Sequence, residues 1–205
     1  MFVAALLYAD DMALIPSSLR GLQKLLTLCE QYRREWDICL NPKKSRNMYF
    51  GKRQDDLCSL RLNGIKIQWT DRWTYSGVNL VSSPNFICCV NEKIWKFYRA
   101  ANNILRINGK SDDLLMLRLI ETHCNPILAH AIEVISVMDR DARRQLRVTY
   151  NSVFRRVFNY RSWQSVSELQ TALSRPTWEE LVDKRINKFY HAIQNDTFLS
   201  VLLSA

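Results

Sequence analysis

An α+β fold is predicted by this sequence, with the strands in its first part. Short apolar runs at Phe2–Leu7 and Met12–Ile15, and the stretches "GIKIQW" and "YSGVNLV", are typical of strands. After Pro84 apolar residues recur at helical spacing, and only 5 Gly and 5 Pro occur in the chain, which favours long helices over tight turns. We therefore expect a mixed region over 1–85, a helical region over 86–165 and a helical extension over 166–205.

The first strands and the first helix have boundaries that can be located. Asp tolerates the backbone conformations that close a hairpin, so the two apolar runs are predicted to pair around the aspartates between them. Pro16 ends the second strand, and Ser17 or Ser18 is placed to cap the helix that follows. Asn63-Gly64 predicts another tight turn. The first helix carries apolar residues at helical spacing: Leu22, Leu25, Leu26, Cys29, Tyr32 and Trp36.

The later helices follow from the same periodicity. One covers 94–105, a second begins near Asp112 with Ser111 as its cap, and Pro126 is expected to kink or break it. A third covers 141–159, and the last begins at Thr177, which forms a capping box with Glu180. The predicted inner faces are Ile94, Phe97, Tyr98, Ala101, Ile104 and Leu105; then Leu146, Tyr150, Val153, Phe154 and Val157; and finally Trp178, Leu181, Val182, Ile186, Phe189, Tyr190 and Ile193.

Composition limits the classes of function. The net charge is +9, and its excess lies in the middle, where 86–161 carry 13 basic and 7 acidic residues. Such a region suits either a polyanionic partner or well-solvated helix faces. The six cysteines form no Cys-x-x-Cys pair, which argues against a zinc site, and they read as reduced thiols. The chain shows neither a secretory signal nor roughly 18 consecutive apolar residues, so we expect an intracellular protein in the nucleus, the cytoplasm or both.

The positive charge of the third long helix is concentrated on one side. At helical spacing, five arginines fall on one stripe beside the apolar face, and Arg156 lies off it. A planar guanidinium donates two hydrogen bonds to a phosphate at once, so the stripe is a candidate phosphate contact; the alternative is a solubilising face. The stripe consists of Arg140, Arg143, Arg144, Arg147 and Arg155.

Two adjacent acidic residues occupy the first predicted turn, in "LLYADDMALI". The carboxylates of Asp10 and Asp11 repel each other unless a cation neutralises them. Mg²⁺ prefers such oxygen ligands and keeps water and phosphate as the rest of its shell, and Mn²⁺ is an alternative ion. A polar turn that happens to contain Asp-Asp is the other interpretation.

Several motifs then occur in a fixed order: "YADD", an amphipathic helix, "LNPKKSRNMYFG", "YSGVNL", "ETHCNPILAHAIEVI" and basic helices. This series resembles the reverse transcriptases of LINE-type (non-LTR) retrotransposons, from palm motif C onward. The resemblance implies a partial polymerase palm over 1–85 and an all-helical thumb over 86–165. His130 and Ala131 stand where the thumb pattern Pro-Ile-Leu-x-Tyr-Gly has Tyr-Gly.

The resemblance implies roles for residues of motif C. Tyr8 would pack beside the terminal primer–template pair. Asp10 would bind the catalytic Mg²⁺, and Asp11 would complete the acidic pair.

It also implies roles for motif D and for the primer grip. Asn41 and Lys44 match motif D, where a lysine can donate a proton to the pyrophosphate leaving group, and Lys43 is an alternative donor. Tyr75, Gly77 and Val78 match the primer grip, with Ser76 in place of the usual leucine. The glycine would let two backbones approach closely, or would mark a simple strand bulge.

The implied partners are an RNA template, a DNA primer and deoxynucleoside triphosphates. In such enzymes, motifs A and B and the fingers precede motif C, whereas here nine residues precede Asp10. We therefore expect a truncated RNA-directed DNA polymerase that is inactive as an isolated chain. Two alternatives are a non-catalytic nucleic-acid-binding module and a domesticated or decaying fragment with a scaffold role.

Overall fold

A computed structural model describes residues 5–52, 58–85, 87–107 and 112–196. Helices and small sheets are both present, so the α+β prediction is confirmed. The contacts divide the chain into two compact units. The strand unit holds the described residues up to 76 and 80–85, and the helical unit holds 77–79 and those from 87 onward. The boundaries predicted for palm, thumb and extension remain predictions.

The acidic turn closes a hairpin, as predicted. Strands β1 (Ala5–Tyr8) and β2 (Asp11–Leu14) pair antiparallel, with Tyr8 opposite Asp11. The connection is Ala9–Asp10, and Ala9 rather than an aspartate takes the positive φ, at 49°. The start of the predicted first run, Phe2 to Ala4, lies outside the described residues.

Helix α1 (Leu19–Trp36) supplies the core of the strand unit. Ser18 caps it by accepting a hydrogen bond from the Gly21 backbone N–H at 3.1 Å, which confirms one of the two predicted caps. Tyr32 and Trp36 are 54% and 66% exposed, although their spacing matches the buried face. The core residues are Leu26, Leu60, Leu62 and Ile67, with Leu14, Leu19, Leu22, Leu40 and Trp69 packed against them.

Short strands complete this unit. β3 (Arg46–Asn47) pairs parallel with β6 (Gln68–Trp69), and β4 (Arg61–Leu62) pairs antiparallel with β5 (Ile65–Lys66). Asn63 and Gly64, at φ 53° and 74°, form the predicted turn between β4 and β5.

The stretch "YSGVNLV" contains a turn and belongs to two strands. β7 (Arg72–Tyr75), β8 (Val78–Val81) and β9 (Ile87–Cys88) form a sheet in that order. Ser76 and Gly77 connect β7 to β8 with φ of 46° and 77°. Gly77 therefore lies in a hairpin turn and not in a strand bulge or in the interior of a strand.

The helical unit contains α2 (Asn91–Ile107), α3 (Asp113–His123), α4 (Asn125–Ala129), α5 (Ile132–Met138), α6 (Arg140–Val157), α7 (Ser167–Ala172) and α8 (Trp178–Asn195). The break at Pro126 is confirmed, because α3 ends at His123 and α4 begins with this proline in its first turn. Ser111 lies outside the described residues; the side chain of Asp112 caps α3 by accepting from the Leu114 N–H at 3.1 Å.

The inner faces of α2 and α6 are confirmed at their centres. Phe97 and Ala101 of α2 are fully buried, and every predicted inner residue of α6 is buried. The Thr177–Glu180 capping box of α8 is also present. The predicted inner face of α8 is wrong at its far end, where Phe189 and Tyr190 are 42% and 44% exposed. Periodicity shows which residues share a face of a helix, but a residue is buried only where a neighbouring element covers that face. Among the described residues, α8 packs mainly against α6 and the short α5, and they do not cover its last turns.

Across the described ranges, no helix is both long and apolar enough to cross a membrane.

Candidate metal hairpin and nucleic-acid interface

The β1–β2 hairpin presents both aspartates to solvent. Asp10 and Asp11 are exposed, and within the described part of the chain neither forms a salt bridge. The hairpin is anchored behind them, because Leu14 packs on the core around Leu26 and the Cys29 Sγ lies 3.9 Å from the Met12 Sδ. Two free carboxylates on an anchored turn are available to a cation.

The donor set fits a hard cation only in part. Carboxylate oxygens are the ligands that Mg²⁺ prefers. However, the described residues contain no group of three or more His, Cys, Asp or Glu side chains placed to hold a metal ion. Asp10 and Asp11 therefore offer part of a coordination shell. Tyr8 ends β1 opposite Asp11, and its side chain lies outside the described part of the structure.

The residues that the sequence matches to motif D form a turn before β3. The Asn41 side-chain oxygen accepts hydrogen bonds from the backbone N–H groups of Lys43 and Lys44 at 3.0 and 3.3 Å. The Asn41 carbonyl accepts from the Ser45 N–H at 3.1 Å and from the Ser45 hydroxyl at 2.9 Å. Asn41 thus shapes the loop, which is a physical reason for asparagine three residues before a lysine.

Lys43 and Lys44 are both exposed on this turn. Within the described part of the strand unit, no ion pair joins either lysine to Asp10 or Asp11. The structure therefore brings Asn41, Lys43 and Lys44 together, and it leaves their proposed chemical role as a prediction.

The residues predicted to form a primer grip lie at the β7–β8 turn. Tyr75 is half-buried at the end of β7. Gly77 is held against a side chain of its own unit, since a Cβ added to it would lie 2.6 Å from the His130 Nε2. Together with its φ of 77°, this contact restricts the position to glycine.

His130 belongs to a polar cluster at the start of the helical unit. Its carbonyl accepts a hydrogen bond from the Lys93 Nζ, and burial lowers the pKa of Lys93 to about 8. Nearby, Asp139 accepts from the Cys88 N–H at 3.1 Å and caps α6 by accepting from the Ala142 N–H at 2.9 Å. Burial, together with Asp139, raises the pKa of the Cys88 thiol. The cluster is accounted for by packing and capping.

Replacing Ala131 with glycine should stabilise the protein. Ala131 adopts φ 53° at the N-terminus of α5, a conformation that costs a residue with a Cβ about 1 kcal/mol relative to glycine. Glycine also loses more chain entropy on folding, by about 0.5–1 kcal/mol, so we expect the free energy of unfolding in urea to rise by at most about 0.5 kcal/mol. Ala129→Gly, at the last residue of α4, is the matched control and should lower the free energy of unfolding, by at most about 1 kcal/mol. Equal losses in the two variants would contradict the strain at Ala131.

Part of the predicted arginine stripe of α6 faces α8. Arg143 lies 3.3 Å from Asp183 and Arg147 lies 3.4 Å from Glu179. These ion pairs are partly exposed and contribute little stability, but each brings a carboxylate to one terminal nitrogen of the guanidinium group and offsets its charge. The Arg155 Nε donates to the Gln164 carbonyl at 3.1 Å and so holds the segment after α6. Arg140, Arg144 and Arg147 are the exposed members of the stripe, and of these Arg140 and Arg144 form no ion pair with another described residue.

Cation–aromatic contacts occur at residues for which the sequence predicted no site. The Arg99 guanidinium carbon lies 5.5 Å from the ring centroid of Trp95, on α2. The Arg156 guanidinium carbon lies 5.6 Å from the ring centroid of Tyr98. In the sequence, aromatic and basic residues alternate along α2, a signal for such contacts that helical periodicity, which identifies only the buried face, does not detect.

Two curated proteins resemble this chain over most of its length. "Probable RNA-directed DNA polymerase from transposon BS" of Drosophila melanogaster is 23% identical over 193 residues, which are 89% of this chain and 21% of that protein. "RNA-directed DNA polymerase from mobile element jockey" of Drosophila funebris is 22% identical over 199 residues, 90% of this chain and 21% of that protein. These matches support a reverse transcriptase-like relationship. The chain spans about a fifth of the length of either relative.

No protein-family model matches the chain. No solved structure matches it either. The relationship to reverse transcriptases therefore depends on the two distant relatives, and because they match about nine-tenths of the chain it includes parts of both the strand unit and the helical unit.

Proposed function

We propose that this chain is a palm-and-thumb segment of an RNA-directed DNA polymerase of the LINE type. One observation carries the proposal: an exposed Asp10–Asp11 pair closes an anchored hairpin in a chain that is similar, over about nine-tenths of its length, to two RNA-directed DNA polymerases. The corresponding reaction is the template-directed addition of deoxynucleotides to a primer 3′-hydroxyl.

The residues divide into a metal-binding part and a positioning part. Asp10 and Asp11 would hold Mg²⁺, which when bound neutralises the charge that develops on the transferred phosphoryl group. The Asn41 turn would present Lys44, or Lys43 in its place, as a charged donor for the leaving group. The Tyr75–Val78 turn would contact the primer backbone, with Tyr8 beside the terminal base pair.

Two carboxylates provide an incomplete metal site for nucleotide addition. Phosphoryl transfer depends on positioning and charge stabilisation, and the described residues bring no third acidic group to the hairpin. We therefore expect no processive primer extension from the isolated chain on an RNA template with Mg²⁺. Robust incorporation would show that two carboxylates are enough.

Metal binding at the hairpin is tested with Mn²⁺, which broadens NMR signals of nearby nuclei. Titration of the ¹⁵N-labelled chain should broaden the amide signals of Ala9 to Met12 first. The double variant D10N/D11N should lose this effect, because amides are poor substitutes for carboxylates as ligands of hard cations. The measurement does not require catalysis.

Another adjacent acidic pair provides the matched control. Asp112 and Asp113 stand at the start of α3, where an Asp112 oxygen already accepts from the Leu114 N–H. The variant D112N/D113N should leave the broadening around Asp10 unchanged. Equal broadening at both pairs, or its persistence in D10N/D11N, would contradict a metal site at the hairpin.

A non-catalytic nucleic-acid-binding role is a second candidate. It is favoured by exposed arginines of the helical unit, among them Arg140 and Arg144. This role predicts salt-dependent binding of primer–template without metal at the hairpin. The Mn²⁺ titration therefore separates the two candidates.

A further inference from the structure

Helix α2 carries an exposed aromatic ring in line with cations. Trp95 is 61% exposed although Arg99 lies over its ring. Asn102 and Arg106 are also exposed, and the four positions follow one another at intervals of four, three and four residues. Such intervals place the four residues on one side of a helix.

Helix α6 adds a further cation beside this line. The Arg156 side chain donates to the Asn102 side-chain oxygen at 2.5 Å while it lies over the Tyr98 ring. The Tyr98 and Ser152 hydroxyls are 3.0 Å apart. Both contacts advance by four residues along each helix, so α2 and α6 run parallel here and hold Arg156 next to α2. We call Trp95, Arg99, Asn102, Arg106 and Arg156 the α2 strip.

The α2 strip has an excess of positive charge. Glu92, one turn before it, is paired with Lys96 at 2.6 Å. The three arginines of the strip have no acidic partner among the described residues. One of them, Arg156, is held by the neutral side-chain amide of Asn102, which does not cancel its charge. This balance complements a polyanion, in contrast to the predicted stripe on α6, where Asp183 and Glu179 already pair with two arginines.

The tryptophan favours unpaired bases over a duplex. In a duplex the faces of the bases are stacked on each other, and a protein mainly reaches phosphates and groove edges. A single strand leaves base faces free to stack on an indole ring, and nearby arginines can contact its phosphates. The strip extends over roughly 16 Å at about 1.5 Å per residue, which is long enough for a few nucleotides.

We propose that the α2 strip binds single-stranded nucleic acid, with a base stacked on Trp95 and phosphates contacted by Arg99, Arg106 and Arg156. The proposal rests on the proposed function and deepens it, because it names the unpaired part of a template as the ligand of the helical unit. Arg140 and Arg144 remain candidates for duplex phosphates.

Trp95→Ala is the decisive variant. Dissociation constants are measured by fluorescence anisotropy for a labelled, unstructured RNA of roughly 20 nucleotides and for an RNA–DNA duplex of the same length. We expect binding of the single strand to weaken about tenfold, because one stacked base contributes on this scale. Duplex binding should stay within about twofold. Trp95→Tyr, which keeps a stacking ring, should recover most of the affinity.

Trp36→Ala is the matched control. Trp36 is 66% exposed on α1 of the strand unit, where its ring lies 5.9 Å from that of Tyr32. This variant should bind both probes like the wild type. Addition of single-stranded RNA should also quench tryptophan fluorescence in the wild type and in Trp36→Ala, and clearly less in Trp95→Ala.

The outcomes separate this inference from the proposed function. The inference alone is overturned if the wild type binds the duplex and Trp95→Ala binds the single strand as tightly as the wild type does. It is also overturned if Trp36→Ala loses as much single-strand affinity as Trp95→Ala. If Trp95→Ala weakens both probes equally, the preference for unpaired bases is wrong. A wild type that binds neither probe overturns both proposals. Selective loss in Trp95→Ala without Mn²⁺ broadening at Asp10 supports the α2 strip and contradicts the metal hairpin.

Discussion

Replacing Phe97 with alanine should lower the free energy of unfolding of the helical unit by about 3–5 kcal/mol. The Phe97 side chain is completely buried on the inner face of α2, and its ring contacts that of Tyr98 edge-on, with the centroids 5.8 Å apart. The loss combines the transfer free energy of the ring with the cavity that remains after its removal. Urea unfolding followed by circular dichroism measures it.

Trp95→Ala is the control for this prediction, because it removes a larger ring two residues away on the exposed side of the same helix. We expect it to cost less than about 1 kcal/mol. This contrast also shows whether the binding variant is folded. Similar losses at both positions would mean that α2 does not have the described inner and outer faces.

Replacing Gly77 with alanine should cost about 2–3 kcal/mol. A φ of 77° costs a residue with a Cβ about 1 kcal/mol, and the new methyl group would lie 2.6 Å from the His130 Nε2. The variant should also weaken primer–template binding if this turn is the primer grip. The change in stability is measured by urea unfolding, and the change in binding by anisotropy.

Gly64→Ala separates the two causes. Gly64 has nearly the same φ, 74°, and a Cβ there meets no atom within 4 Å, so its loss should be only about 1 kcal/mol. The double variant G77A/H130A should recover part of the stability lost in G77A, because the clash is removed. If Gly77→Ala costs no more than Gly64→Ala, the contact with His130 has no energetic consequence.

The acidic hairpin shows how local sequence specifies a site. The two paired strands and the acidic turn between them follow from the order of apolar and acidic residues alone. The predicted runs left four residues, 8–11, between the strands, and the structure shortens the connection to Ala9–Asp10. The exposure of the carboxylates and their anchoring through Leu14 required the packed core. Asn41 shows the same division. The sequence identified it only as a motif residue, and its hydrogen bonds in the structure show that it shapes the loop that carries Lys43 and Lys44.

The sequence by itself determined the α+β class, the cap at Thr177, the Asn63–Gly64 turn and the inner face of α6. It also narrowed the cap of α1 to Ser17 or Ser18 and placed a kink or break at Pro126, and the structure chose Ser18 and the break. These features depend on backbone preferences and on periodicity, which act over a few neighbouring residues.

Only the tertiary structure decided which of the arginines are already paired and which large apolar side chains are exposed. Arg143 and Arg147 face Asp183 and Glu179, some 30 to 40 positions further along the chain, whereas Arg156, off the predicted stripe, lies over Tyr98. The ends of α1 and α8 keep aromatic rings in solvent despite a regular apolar pattern. The physical reason is that pairing and burial depend on which distant segment packs alongside, and helical spacing specifies a face without specifying its neighbour.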